Sequence, residues 1–432
     1  MPHSAPTRTA RTTRIARTAG TGRTARPELD RGVPVLMVRI GHYPSSHSPI
    51  GAIRSFGRLG VPVHAIVESR WTATAASRYL TGVHVRPTTG SEPDAELVDT
   101  IRSVARSIGR PAVAVCTDDE SACLLAEHAA ELAPDLLLPP VPADLPRRLA
   151  DKGGLDRICR EHDVPAPRSA TPADLPELLD AARDLGYPLV LKNLAPFSRL
   201  AHPMVGHTTV VRHESELRAL DPGGHRSLLL AQEFLPPEHC EDWFTHLVCG
   251  PGGEPLLVFT GRKERAWPPG GGSTTLAHSL PNPELAALAA GLCRRIGYSG
   301  IADLDWRHDR RDGRYKLVDF NPRQGAQFRL FETTGGIDVV RALHLWLTGR
   351  PVPDAPQLVR RFRVGRLDLL SAAAHAWHDR RPPRHLLPVR GTVRAWACRD
   401  DPLPMLLETA HSAGTNAARA AGQVKNRIGG KN

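Results

Sequence analysis

The stretch Tyr315-Lys316-Leu317-Val318-Asp319-Phe320-Asn321-Pro322-Arg323-Gln324-Gly325 constrains this chain more than any other. Tyr315 to Phe320 alternates and is rich in β-formers, which predicts a strand. Side chains two apart in a strand share a face, so Asp319 and Asn321 project the same way. Pro322 ends the ladder and sends Arg323 into the loop beyond. Gly300-Ile301-Ala302-Asp303-Leu304-Asp305-Trp306 reads as a second strand, and Arg310-Arg311-Asp312-Gly313 as the turn that joins the two. Closing that hairpin brings Asp305 near Asp319 and Asn321. Two carboxylates and an amide oxygen are hard donors that suit Mg²⁺ on a polyphosphate, with Arg323 behind them. The plainer reading is a hairpin with solvated acids, and the rest of the chain has to separate the two.

Lysine usage is an independent signal. Of 56 basic residues, only Lys152, Lys192, Lys263, Lys316, Lys425 and Lys431 are lysine. In a chain that otherwise uses arginine, a lysine marks a place where a compact point charge on a flexible stem is wanted, as phosphate contacts often require. Lys152 lies in Leu149-Ala150-Asp151-Lys152-Gly153-Gly154-Leu155 and enters a helix that ends near Asp163-Val164-Pro165-Ala166-Pro167. Lys192 ends the predicted strand Tyr187-Pro188-Leu189-Val190-Leu191-Lys192. Leu228 to Pro237 reads as a buried strand running into a hinge, with Glu233, Phe234 and Leu235 at its end. Glu241 and Asp242 precede the aromatic strand Trp243-Phe244-Thr245-His246. Thr260 to Thr274 then combines a basic half (Arg262, Lys263, Arg265) with the glycines 270–272.

In this order these segments resemble the ATP-grasp superfamily of carboxylate–amine ligases, from about Val33 to about Pro404. The resemblance implies Asp305, Asp319 and Asn321 as metal ligands, with Asp319 where the family often has glutamate. It implies Lys152 and Lys192 on the α and β phosphates, Glu233 at the adenine amino group, and Phe234 and Leu235 as the hinge. The ribose acid would be Glu241 or Asp242, which the sequence leaves open. Lys263 and Arg265 would meet the γ-phosphate and a substrate carboxylate, and Arg323 would be catalytic. The implied cofactors are ATP and Mg²⁺, with Mn²⁺ as an alternative. The family's glycine-rich loop after the second lysine is replaced here by Asn193-Leu194-Ala195-Pro196-Phe197-Ser198-Arg199, His202 and a single Gly206. Arg199 or His202 would have to supply the charge that the loop lacks.

The net charge of +11 suggests nucleic acid until it is located. Residues 1–31 hold seven arginines against Glu28 and Asp30, a net of +5, and residues 411–432 carry +4 with no acid, leaving +2 for the body. Basic tails without interleaved aromatics argue against specific nucleic-acid recognition. The N-terminal arm is expected to be disordered, without the apolar segment of a secretory signal, although its composition also resembles a transit peptide. Seven cysteines without Cys-x-x-Cys spacing fit a reducing cytosol, and no apolar run reaches membrane-spanning length.

From Val33 to Leu132, predicted strands (Val33–Ile40, Val61–Val67, Ala112–Cys116) alternate with predicted helices, which implies a parallel sheet covered by helices. The first strand-to-helix loop lacks Gly-x-Gly-x-x-Gly, so a dinucleotide site is not indicated. His42 and His47 in that loop are candidate substrate contacts, with ordinary polar loop residues as the plainer reading. The fold expectation is α/β: a Rossmann-like parallel pre-ATP-grasp domain at 32–140, then an ATP-grasp α+β fold at 141–350. A basic arm (1–31), an appended subdomain (351–410) and a basic tail (411–432) complete the organisation. Asp368 and Asp400-Asp401-Pro402-Leu403-Pro404 resemble the closing segment of ligases of the D-aspartate ligase type.

The functional expectation is an ATP-dependent ligase that forms an amide or peptide bond from a small carboxylate and an amine through an acyl phosphate. A cytoplasmic location is expected, and a homo-oligomer is compatible with it. The alternative is an ATP-binding regulatory module with weakened turnover.

Overall fold

The computed structural model describes residues 28–41, 46–88, 92–194, 205, 208–220, 229–269, 272–380, 385–386 and 389–414. His42, Arg199, His202, Gly206 and both basic tails beyond these limits lie outside the described residues. The first sheet is fully parallel, with strands β1 (Val35–Val38), β2 (Val63–Val67), β3 (Gly82–Val85), β4 (Ala112–Cys116) and β5 (Leu136–Leu137) in the order β3-β2-β1-β4-β5. Helices α1 (Ser48–Gly57), α2 (Asp94–Ser107), α3 (Asp119–Glu127) and α4 (Ala129–Leu132) alternate with these strands. Central strand β1 is buried throughout, as the continuous apolar run Val35-Leu36-Met37-Val38 requires when helices cover both faces. Sequence reasoning missed β3 and β5, for a physical reason. Every residue of the edge strand β3 is only partly buried, and β5 has two residues, so neither carries a strong pattern.

Helices α5 (Leu145–Ala150) and α6 (Lys152–Glu161) follow. Asp151 caps α6 by accepting from the Gly154 amide, which puts Lys152 at the first helical position. A Cβ at Gly154 would sit 2.3 Å from the Arg148 carbonyl, so only glycine allows the two helices to join this closely. A second sheet then forms from β6 (Ser169–Ala170), β7 (Leu189–Asn193), β8 (Thr209–Val211) and β9 (Leu229–Glu233), antiparallel and ordered β6-β9-β7-β8. It is backed by α7 (Leu175–Leu185) and α8 (Glu214–Ala219) through Leu178, Ala182, Leu191, Leu217 and their neighbours.

The third sheet has seven strands: β10 (Cys240–Cys249), β11 (Pro255–Trp267), β12 (Ser273–Ser279), β13 (Gly300–Asp309), β14 (Arg314–Asn321), β15 (Arg361–Arg363) and β16 (Val393–Arg394), ordered β14-β13-β10-β11-β12-β15-β16. One face packs on α9 (Pro283–Ile296) through Leu247, Ala302, Leu304, Trp306, Leu317 and Phe320. On the other face, Phe244, Phe259 and Phe331 join a core that continues to α10 (Val339–Leu347) and to the first sheet. The basic half of the segment from Thr260, as far as Trp267, is strand. It forms the second half of the long strand β11, and Gly270 and Gly271 lie outside the described residues.

Helix α11 (Gly365–Asp379) lies against β11 and β12 and fixes Asp368 beneath them. The chain then returns to the first sheet. Asp401 accepts from Arg54, Ser77 and the Arg78 amide, while Asp400 takes Arg58 and Tyr79. Hydrogen bonds and charge from Arg58 hold the Asp400 carboxyl far below the usual range. No helix among the described residues is long and apolar enough to cross a membrane.

Candidate active site

The β13–β14 hairpin turns at Arg310–Gly313, where Gly313 adopts φ +70°. Its register sets Asp305 directly opposite Asp319 and Asp303 opposite Asn321. Asp305 Oδ1 is buried and has no hydrogen-bond partner among the described residues. Burial raises the Asp305 carboxyl above the ordinary aspartate range; Asp303 and Asp319 push the same way against the pull of Lys263. Burial opposes the charge on Asp319 too, but Lys152, Lys192 and Arg323 outweigh it and lower that pKa. Asn321 is less free. Its Oδ1 accepts from Arg323 Nη2 at 2.8 Å, and its amide donates to the Asp303 carbonyl.

Three lysines converge on these acids. Lys152, at the start of α6, ion-pairs with Asp319. Lys263 of β11 lies 3.7 Å from Asp305 Oδ1. Lys192 reaches toward the same group from β7, but it makes no ion pair among the described residues. Burial, with Lys152 alongside, pushes its ammonium down to about 8. Among the described residues it is thus a cation without an ion pair beside two that have one, a charge balance that suits an anionic oxygen.

At the far end of the same surface, Glu233 closes β9 between Arg168 and Lys316, at 3.3 and 3.4 Å. Strand alternation puts the two ribose candidates on opposite faces of β10. Asp242 shares a face of β10 with Phe244, which opposes Asp305, and accepts from Arg307 Nε at 2.8 Å. Glu241 points to the other face, where it accepts from the Trp243 indole. Arg307 also donates to the Leu235 carbonyl, tying the end of the hinge to the sheet.

No family model matches the chain. D-aspartate ligase from Enterococcus faecium (strain Aus0004) is 24% identical over 290 residues, covering 62% of this chain and 67% of that protein. Biotin carboxylase from Campylobacter jejuni, solved as a β,γ-ATP complex, superposes with a TM-score of 0.57 at 14% identity over 74% of this chain and 72% of the other. N5-carboxyaminoimidazole synthetase from Staphylococcus aureus, complexed with ADP, gives 0.57 at 10% identity over 76% and 80%. The chain has the ATP-grasp fold of these two structures. Its parallel first sheet, antiparallel second sheet and largely antiparallel third sheet are the mixed α/β architecture that the sequence implied.

Within this fold, the donors fit a magnesium ion. Asp305 and Asp319 are hard carboxylates facing each other, one oxygen of Asp305 is orphaned, and burial with mutual crowding asks for positive charge. No cluster of three or more His, Cys, Asp or Glu poised to hold a metal occurs among the described residues. Mg²⁺ commonly uses one or two protein carboxylates and takes its other ligands from phosphates and water.

Two expectations need correction. A bulge at Glu264 breaks the alternation of β11: Lys263 pairs with Ala277 but Arg265 with Leu276, so the two side chains face opposite ways. Arg265 therefore does not join Lys263. It grips buried Asp368 through Nε and Nη2 at 2.8 and 2.7 Å, and Arg363 and Thr275 contact the same carboxylate. Arg265→Met is expected to lower unfolding free energy by about 3 kcal/mol, since it strips a buried acid of its main partner. Chemical denaturation measures this, and an unchanged midpoint with lost turnover would return Arg265 to the site. The second correction is His47, which packs between Phe362 and Trp396. Burial and the neighbouring Arg329 lower its pKa to about 3, so it serves as a neutral packing group.

Sequence reasoning also missed residues. Asp303 Oδ1 lies 3.0 Å from His246 Nε2, and its Oδ2 lies 3.6 Å from Arg323. Its place two residues before Asp305 was a readable signal. A Cβ at Gly325 would come within 2.3 Å of both Asp303 and His246, so the loop after Arg323 closes over this pair only with glycine there. Asp119, at the start of α3, stands 3.1 Å from Arg323 Nε. It arrives from the first sheet's layer, and nothing near it in sequence announces that contact.

Proposed function

We propose that this chain is an ATP-dependent carboxylate–amine ligase that works through an acyl phosphate. One observation carries the reading: Asp305 and Asp319 face each other while Lys152, Lys192, Lys263 and Arg323 surround them. Asp305 and Asp319 would hold Mg²⁺, whose role is to neutralise polyphosphate charge. Lys192 and Lys152 would bind the α and β phosphates. Glu233, with Phe234 and Leu235, would take the adenine edge, and Asp242 the ribose. Lys263 and Arg323 lie where charge develops on the transferred phosphoryl group and where the substrate carboxylate must approach.

A carboxylate oxygen attacks the γ-phosphorus and ADP leaves. The amine nitrogen then attacks the acyl carbon, phosphate leaves, and the nitrogen loses a proton as the amide forms. The protein mainly has to align these groups and offset their charge, which is what a ring of fixed cations around two acids supplies. No observation favours the weakened regulatory module, because the cations and acids needed for turnover all converge.

The likeness to D-aspartate ligase makes amino-acid carboxylates, D-aspartate first, the starting pool. ADP release should appear with the correct carboxylate and rise when its amine partner is added, and mass spectrometry should show the amide. Failure of every carboxylate and amine pool to raise ADP release, in a protein that binds MgATP, would overturn the ligase reading in favour of a binding module.

A further inference from the structure

Lys316 looks, from spacing alone, as though it faces away from Asp319. The structure shows otherwise. Val318 bulges out of the β13–β14 ladder: Asp319 pairs with Asp305, but Leu317 already pairs with Trp306 and Lys316 with Arg307. Arg307 and Asp305 are two apart and share a face, so the bulge turns Lys316 onto the surface that carries Asp319. There its ammonium lies 3.0 Å from Asp309, 3.1 Å from Asp312 and 3.4 Å from Glu233 Oε1. It thus links the third sheet to the end of β9 in the second.

The other oxygen of Glu233 is held as well. Arg168 Nε lies 3.3 Å from Oε2, and the Arg168 guanidinium is anchored on the carbonyls of Asp184 and Leu185 at the end of α7. Each oxygen of Glu233 therefore faces a cation fixed from a different element, one from the hairpin and one from the helix layer. A carboxylate offers only acceptors, and its remaining lone pairs can take an N–H donor but repel a carbonyl oxygen. Adenine presents an amino group where guanine presents O6.

We propose that Lys316 is a positioning residue that, through Glu233, makes this site select adenine over guanine nucleotides. The inference rests on the reading of this surface as an ATP site. Lys316 touches no nucleotide atom in this scheme. It sets the direction and the acceptor character of the group that does.

Calorimetric titration with MgADP and MgGDP tests this without knowledge of the acceptor substrates. The parent protein should bind ADP about a hundredfold more tightly than GDP, since a fixed acceptor left facing O6 is costly. Lys316→Met should weaken ADP binding about tenfold and leave GDP binding within about twofold, narrowing the preference. Lys316→Arg should restore most of it. Glu233→Gln should narrow it further, because the amide can turn an N–H toward O6. Arg168→Gln, at a largely exposed side chain, reads the same clamp from its other end and should cost about threefold for ADP alone, so a Lys316→Met protein that fails to fold leaves the test standing. A Lys316→Met protein that keeps the full preference, or loses both nucleotides equally, overturns the inference; so does an unchanged preference in Arg168→Gln. A parent protein that binds neither nucleotide overturns the ATP-site reading itself, a separate and recognisable failure.

Discussion

Asp319→Asn is expected to lower ADP release at least about a hundredfold while the protein stays folded, because the replacement keeps the shape and removes one anionic donor from a site that needs charge. The folded state should tolerate the change. Lys152, which loses its direct partner, still has Asp119 and Asp305 among the acids that hold its pKa up against burial. Rates measured across a magnesium series separate the effects: a lost metal ligand raises the magnesium requirement, whereas a lost lysine partner alone does not. Asp99→Asn, at an exposed position of α2, is the control and should be nearly silent in ADP release. Full activity of Asp319→Asn at low millimolar magnesium would remove the assignment of β13 and β14 as the metal strands.

Much of this arrangement was legible because local pattern carried it. Asp319 and Asn321 share a face by simple alternation, and the register then set Asp305 and Asp303 against them. The scarcity of lysine singled out Lys152, Lys192 and Lys263, and the structure brings all three to one carboxylate pair. The alternation of strand and helix before Leu132 was enough to imply the parallel sheet.

What failed did so at bulges and across distance. Period-2 reasoning assumes one residue per pairing step, and a single extra residue reverses every side chain beyond it. The bulge at Glu264 sends Arg265 to Asp368, and the one at Val318 sends Lys316 to Glu233. Neither bulge contains a glycine or a proline that would have marked it. Asp119 and Arg323 are separated by most of two sheets in sequence, and only packing of the first layer against the third joins them. The faces taken by Glu241 and Asp242, by contrast, needed only the parity of one strand once its register was known.

Lys192 offers the sharpest remaining test, because its environment makes a thermodynamic statement as well as a kinetic one. Its ammonium titrates near 8 in the folded protein against 10.5 for an ordinary lysine, and burial is the leading cause. Between those values the unfolded chain binds a proton that the folded one has released, so this group destabilises the fold below about pH 8, and the penalty fades as pH rises toward 10.5. A polyphosphate favours the charged form, so nucleotide binding near pH 8 should draw a proton from the buffer. Affinity for MgADP should accordingly fall as pH rises through this range. Titrations in two buffers of different ionisation heat measure the uptake, which is expected to approach half a proton at pH 8. Lys192→Arg should abolish it, since guanidinium does not titrate here. The same change should weaken MgADP binding about tenfold and slow ADP release, because a planar fork replaces a point charge at a partly buried strand end. Lys192→Met should cost about a hundredfold in affinity. Near-normal binding in both variants, with proton uptake unchanged, would show that the phosphates do not pass Lys192.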